Sequence, residues 1–511
     1  MAFTLIRGAL VLLSCLALVG ASRLRNAHDA SQPLDTPARP VVTKLSHSDF
    51  FTRSARHPPS AIPRSVGAPP AAEGEAAFGT EISVRQMAAL TAHQMAPRRP
   101  TRSADGLAVA LGSPAKAGRP SEVLQLLSDS FGTEYVGPIG IGTRRGPAGE
   151  PVAESELRVV FDTGSADLWV ASDLCVTGPC SWKSRRRFNH SRSETFHAPE
   201  GTVRMTTYYG SGQIEGFLGA DDVHLGPFVV RQQTLGLIAE ERGRIFGILP
   251  ADGLLGLGFE PLAASEAPPL FDSLTHQHVL PTAQFAFYLN PDYTFGGALL
   301  WGGIDERLYE KPLIWFPVTE EGYWSLELLA FHFGNRTFQA EPSASPSASL
   351  HASLRAGSGG GSSRDQPPTI FKPELIVDSG TTFITAAGEV YEAIRSVATA
   401  MQCSEAASLP PLVYTLRDSR GQAQNITVPP EEYMVKVGEV RGVCKPGIMD
   451  LGQQFAEAFN GRLPVILGEV FMRHHFTVFR RSAASGGRAE VGIARPVFGA
   501  GAQAFFKENG F

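Results

Sequence analysis

Two short strings hold the residues best suited to chemistry: Asp162-Thr163-Gly164-Ser165, and much later Asp378-Ser379-Gly380-Thr381. Each joins a carboxylate to a hydroxyl, a glycine and a second hydroxyl. If the fold brings the two aspartates to about 3 Å, their like charges cannot both ionise, so the pair keeps one proton and titrates as a unit. One carboxylate can then act as general base on a water while its partner acts as general acid on a carbonyl oxygen. Water is the nucleophile, and no covalent intermediate is needed. Ser165 and Thr381 can donate to the outer carboxylate oxygens and favour a charged member of the pair, with Thr163 and Ser379 as further support. Gly164 and Gly380 permit the sharp turn that brings backbone N–H groups to the carboxylates. One such string alone would be an ordinary Asx or Ser/Thr turn. Two, with matching flanks, point to one site written twice.

The elements that must position these strings repeat as well. Val159-Val160-Phe161 and Leu375-Ile376-Val377 are apolar runs that read as buried strands ending in the aspartates. About ninety residues after each Asp comes a second echo, Asp252-Gly253-Leu254-Leu255-Gly256-Leu257-Gly258 and then Leu463-Pro464-Val465-Ile466-Leu467-Gly468-Glu469. Each half therefore repeats one plan, and a pseudo-twofold between two lobes can bring the aspartates together. From Tyr135 onward the chain is dense in short β-type runs punctuated by Gly and Asn, which predicts a mainly β protein. Helices are expected only at Pro269–His276, Ala387–Met401 and Gly452–Asn460. His474-His475 falls inside a strand-like run from Phe471 to Phe479 and reads as structural.

Composition sets the compartment and excludes some functions. The 511 residues carry a net charge of −5, with no basic excess to neutralise phosphates, which argues against a nucleic-acid partner. Residues 22–125 hold 13 Lys/Arg against 8 Asp/Glu, so a basic front precedes a body of net −11. Met1 to Ala21 has Arg7, an apolar run too short to span a bilayer comfortably, and small residues Val19-Gly20-Ala21 for cleavage. This predicts a signal peptide over 1–21, with an uncleaved anchor as the alternative, and no stable membrane span after its removal. The Pro-, Ala- and Arg-rich stretch 22–125 supports little core and is expected to be a largely disordered prosegment whose cations cover an acidic site. Four cysteines remain beyond Cys15. Cys175 with Cys180 and Cys403 with Cys444 form a near and a distant couple. Three connectivities are possible. Pairing within each couple is preferred to free thiols in an oxidising lumen, and metal binding is weaker because no His stands at ligand spacing. The 13 histidines form no metal-like cluster, and no cofactor is implied. Asn189, Asn335 and Asn425 open glycosylation triplets. Residues 341–368 are Ser/Gly-rich and read as a flexible insertion.

At this point the chain resembles the pepsin-family aspartic proteases, including cathepsin D and the plasmepsin group, over roughly Glu134 to Pro496. The resemblance rests on Tyr135–Gly142, Phe161–Val170, Tyr209-Gly210-Ser211-Gly212, Asp252–Gly258, Leu300–Asp305, Gly322-Tyr323-Trp324, Ile376–Thr382, Ile466–Phe471 and Val491–Ala494. It implies a bilobal β fold with a cleft between lobes, Asp162 and Asp378 as the catalytic pair, and local disulfides, one per lobe. It also implies a flap hairpin with its tip at Tyr209-Gly210-Ser211-Gly212 and with Tyr209 reaching toward Trp169. Glycines permit such a tight turn, and an aromatic hydroxyl can pin a lid that excludes water.

The expected organisation is therefore a signal peptide, the prosegment 22–125, an N-terminal lobe 126–310, a C-terminal lobe 311–496 with the insertion 341–368, and a tail 497–511. Its expected activity is that of an aspartic endopeptidase made as a secretory zymogen, a monomer acting on proteins or peptides. It would be secreted or held in an acidic lumenal or vacuolar compartment. A catalytically dead peptide-binding relative is the rival, although both Asp strings and Tyr209 stand intact. The loop Thr143–Glu150 is longer than the family connection. Trp182-Lys183-Ser184-Arg185-Arg186-Arg187 reads as a solvated loop rather than a binding patch.

Overall fold

The computed structural model describes residues 122–128, 134–209, 212–291, 296–339, 374–436, 442–451, 464–482 and 487–509. The expected signal peptide, nearly all of the expected prosegment, the insertion 341–368 and the helix Gly452–Asn460 lie outside them.

The duplication legible in the sequence is a duplication of strand topology. Strand Pro151–Asp162 ends at the first aspartate and runs parallel to Gly253–Gly256, with Asp162 opposite Gly256. The short strand Leu168–Ala171 leaves the turn and pairs antiparallel with the other side of Gly253–Gly256. In the second half, Glu374–Val377 runs parallel to Val465–Leu467, and Ile384–Ala386 pairs antiparallel with that same strand. Each aspartate thus sits at the end of a strand whose partner passes between it and the next strand. These strands read as unbroken apolar runs because they are buried on both faces: Val159, Val160, Phe161, Leu375, Ile376 and Val377 are all in the interior.

A second sheet ties the halves together. Its six antiparallel strands run in the order Glu122–Ser128, Gly297–Trp301, Gln284–Leu289, Phe476–Arg480, Glu490–Ala494 and Ile314–Glu321. Three come from each half, and the halves meet where Phe287 faces Thr477 and Phe285 faces Phe479. The folded body therefore includes Glu122–Ser128. Aromatic rings fill the space beneath: Phe285 stacks on Phe479 at 5.0 Å and packs edge-on to Phe271 and Trp324. The fold is mainly β and of the bilobal pepsin type.

Three expectations need correction or sharpening. The helix expected over Ala387–Met401 stops at Arg395. It buries Val390, Ala393 and Ile394 at helical spacing, but Val397 is exposed. Met401 is drawn into a strand pair opposite Cys444, beside the Cys403–Cys444 disulfide, and this tertiary link overrides local periodicity. His474 and His475 do not lie in a strand. They form the turn between helix Glu469–Met472 and strand Phe476–Arg480, because a short apolar run cannot distinguish helix from strand by period alone. His475 stacks on Phe471 at 3.9 Å and bonds its carbonyl through Nδ1, and burial pushes its pKa down to about 3. Last, the tail is a helix, Ala500–Glu508, which packs Ala502 and Phe505 onto the six-stranded sheet and pairs Glu508 with Arg307.

Both expected cysteine couples, the near and the distant, are disulfides, Cys175–Cys180 and Cys403–Cys444. They fit an extracellular or lumenal compartment. Among the described residues no helix is long and apolar enough to cross a membrane.

Candidate active site

The two strings meet at the centre of the molecule and are buried. Asp162 Oδ1 accepts from the Gly164 amide at 2.8 Å, and its Oδ2 accepts from Ser165 Oγ at 2.5 Å. Asp378 repeats this with Gly380 at 2.9 Å and Thr381 Oγ1 at 2.5 Å. All four of these donors stand in the strings themselves.

The second residue of each string does something that its position in the sequence did not specify. Thr163 and Ser379 interlock across the pseudo-twofold. The Thr163 amide donates to Ser379 Oγ at 3.0 Å and the Ser379 amide to Thr163 Oγ1 at 2.9 Å. Their hydroxyls donate onward to the opposite strands, Thr163 to the Val377 carbonyl at 3.0 Å and Ser379 to the Phe161 carbonyl at 2.7 Å. Each is a buried bond between a side-chain hydroxyl and a backbone group more than two hundred positions away, so together they fix both aspartate turns as one unit. The glycines add a steric condition. A Cβ on Gly164 would stand 2.7 Å from Asp378 Oδ1, and one on Gly380 would meet Asp162 Oδ1. Each glycine makes room for the carboxylate of the other half.

The electrostatics follow from this closeness. Burial raises the Asp378 pKa well above the usual carboxylate range, and the neighbouring Asp162 charge raises it further. The bonds from Thr381 and Gly380 pull the other way but do not prevail. The pair therefore keeps one proton under conditions that ionise an ordinary aspartate. Asp167, two residues beyond Ser165, is a buried acid of another kind. It accepts from the amides of Ala264 at 2.7 Å and Ser265 at 3.1 Å and anchors a loop.

The strand expected to lead into the flap alternates regularly. Arg204–Tyr209 pairs with Gly212–Leu225, with exposed and buried residues alternating so that Tyr208 points out and Tyr209 points in. Tyr209 and Trp169 share a bond of 2.6 Å, donated by the indole Nε1 to the phenol oxygen, and Phe246 packs edge-on to the indole. Gly210 and Ser211 lie outside the described residues. Gly212 closes the pair opposite Tyr209, where a Cβ would strike Phe246 and the Arg242 carbonyl.

A family model described as eukaryotic aspartyl protease matches residues 134–491. The chain belongs to that family. This membership supports an aspartic-type endopeptidase. Aspartic protease 3 of Toxoplasma gondii is 34% identical over 379 residues, 71% of this chain, which spans about half the length of that relative. Pepsin-3 of Oryctolagus cuniculus is 31% identical over 376 residues, 72% of this chain and 83% of its own. Pepsin A of Bos taurus is 30% identical over 381 residues, 72% of this chain and 86% of its own.

For an aspartyl protease the Tyr209–Trp169 bond has a measurable consequence. Tyr209→Phe keeps the ring but leaves a buried indole N–H without its acceptor, a loss of about 1–3 kcal/mol. We expect kcat/KM for a peptide substrate to fall roughly tenfold or more and the thermal midpoint to drop modestly, checked by steady-state kinetics beside calorimetry. An unchanged kcat/KM would show that the bond has no part in turnover.

The remaining expected positions are peripheral. Asn335 is exposed in the turn between strands Trp324–Phe333 and Arg336–Gln339, and Asn425 is exposed on strand Ala423–Val428. Asn189 caps a short 3-10 turn by accepting from the Ser191 amide. The basic run after Trp182 is not uniformly solvated. Arg185 is buried against Glu241 at 2.6 Å, and Arg186 bonds the buried Asp252 at 3.0 Å, so two of its cations pin the loop to the body.

Proposed function

We propose that this chain is made as a secretory zymogen and matures into a monomeric endopeptidase in which Asp162 and Asp378 cleave peptide bonds with water. The paired, mutually braced aspartate turns on one chain carry this reading, because both halves of the acid–base machinery are supplied without a second subunit. An extended peptide would lie under Tyr209, held by main-chain pairing, with apolar pockets choosing side chains. Asp162 takes a proton from the water as its oxygen attacks the scissile carbonyl carbon, while Asp378 gives its proton to the carbonyl oxygen. In breakdown of the tetrahedral diol, Asp162 passes its proton to the departing nitrogen. The C–N bond breaks, and a diol hydroxyl returns its proton to Asp378. The interlocked Thr163 and Ser379 keep the two carboxyls in place through both steps.

The compartment follows from the same observations. A dyad that must keep one proton favours an acidic lumen, and the two disulfides need an oxidising route. Secretion or an acidic vacuolar or lysosomal lumen meets both conditions. The basic stretch 22–125 is suited to cover an acidic site until acid weakens the attraction.

An acid shift of the full-length protein tests this function and its activation together. The expected result is proteolytic activity that appears as the chain shortens, with a new N-terminus between Ser22 and Glu122, since Glu122–Ser128 belongs to the central sheet. Activity without shortening would contradict the zymogen, and a shortened chain with no activity would contradict the protease.

A further inference from the structure

Beyond the aspartate strings, each half of the molecule holds a strand crossing that supports its own aspartate turn and is bonded from the other half. In the first half this crossing is Leu257-Gly258, just after strand Gly253–Gly256. The Leu257 amide donates to the Asp162 carbonyl at 2.7 Å, and the Gly258 amide donates to the Ser165 carbonyl at 2.7 Å. Both amides of the dipeptide thus hold the catalytic turn. Its two carbonyls point the other way and are held from the second half. Trp324 Nε1 donates to the Leu257 carbonyl at 2.9 Å, and Arg481 Nη2 donates to the Gly258 carbonyl at 3.1 Å. The next amide, Phe259, donates back to the Gly322 carbonyl at 3.2 Å.

The groups that make these bonds are themselves fixed. Trp324 is fully buried and packs on Phe259 with ring centroids 4.6 Å apart. The Arg481 guanidinium lies 3.6 Å over the Phe259 ring and 5.0 Å from that of Trp324, and its Nε donates to Asp272 at 3.0 Å. A planar guanidinium can stack, pair and donate at once, which an ammonium cannot. On the other side of the pseudo-twofold the crossing is Gly468-Glu469. The Glu469 amide donates to the Thr381 carbonyl at 2.7 Å, and its buried carboxylate accepts from the Tyr135 amide of the first half at 3.2 Å.

We propose that Trp324 and Arg481 are positioning residues of the protease: by holding the Leu257 and Gly258 carbonyls they set the register of the Asp162 turn against Asp378. They touch neither substrate nor the reacting atoms. Their effect passes through one dipeptide whose amides and carbonyls are shared between the catalytic turn and the opposite half. The proposal rests on Asp162 and Asp378 being the acid–base pair, and it names what aligns them. Small displacements of reacting groups cost far more in rate than in stability, so the clasp belongs to kcat rather than to substrate affinity.

Trp324→Phe keeps an aromatic ring but removes the donor to Leu257 together with part of the buried indole's volume. Arg481→Met keeps the stem and removes the donor to Gly258. On the acid-activated full chain, each is expected to lower kcat roughly tenfold to a hundredfold, with KM for a peptide substrate unchanged and weaker binding of a statine-type transition-state mimic. The double variant should lose less than the product of the two single losses, because both donors act on one dipeptide. Folding is read separately by near-ultraviolet circular dichroism, and Trp324→Phe decides the matter if Arg481→Met fails to fold. A folded Trp324→Phe with wild-type kcat, or a loss carried by KM alone, would overturn the proposal. Asp162→Ala measured in parallel separates this from failure of the acid–base assignment: if that variant is inactive while Trp324→Phe is not impaired, only the clasp is wrong.

Discussion

Activity is expected to disappear as the pH rises through the range in which Asp378 gives up its proton, and part of the protein's stability should go with it. Burial and the adjoining Asp162 hold the Asp378 pKa well above its ordinary value of 3.8. For a group raised in the folded state, the native protein binds the proton more tightly than the unfolded chain. The stability this provides is fully present below the unfolded value and is lost as pH climbs through the folded one. Above that point the site must hold two buried charges side by side, and the general acid is gone. Asp378→Asn keeps a neutral group of similar shape and should flatten this component. The check is the thermal midpoint of wild type and Asp378→Asn across pH, beside the wild-type pH–rate profile. A decline of equal steepness in both proteins would show that the dyad is not its source. Other acids raised by burial, among them Asp167, Asp272 and Glu432, titrate in both proteins and cancel in the comparison.

Much of this site was legible in the residues because its parts are local. A carboxylate, the amide two residues on and the hydroxyl three residues on form one turn, so Asp162, Gly164 and Ser165 could be given roles from spacing alone. The duplicated apolar strands and glycine crossings announced the second copy, and the resemblance picked out Tyr209 from the string Tyr209-Gly210-Ser211-Gly212. What spacing could not show was anything made between halves. The exchange between Thr163 and Ser379, the facing of each glycine to the opposite carboxylate and the grip of Trp324 and Arg481 all join residues far apart in the chain. Arg481 in particular looks like a surface cation in sequence, since nothing nearby reveals that Phe259 and Asp272 will surround it. Helix ends failed for a related reason, with Met401 taken up by a strand partner near the disulfide.

Replacing either aspartate should have the larger effect of the two. The carboxyls are not redundant, because one accepts a proton while the other donates it, and each role is used in attack and again in breakdown. Asp162→Ala leaves no base for the water, and Asp378→Ala leaves no acid for the carbonyl oxygen. Either loss should lower kcat by more than about a thousandfold, and the double variant should be scarcely worse, as expected of groups that act as a unit. The interlock of Thr163 with Ser379 uses neither carboxylate, so both variants should keep the fold.

The decisive measurement is cleavage of a denatured protein substrate at acid pH by wild type, Asp162→Ala and Asp378→Ala, each brought to the mature form and shown to be folded. The paired-carboxylate account predicts ready cleavage by wild type and none above background by either variant. Substantial cleavage by a folded Asp162→Ala or Asp378→Ala protein would contradict it.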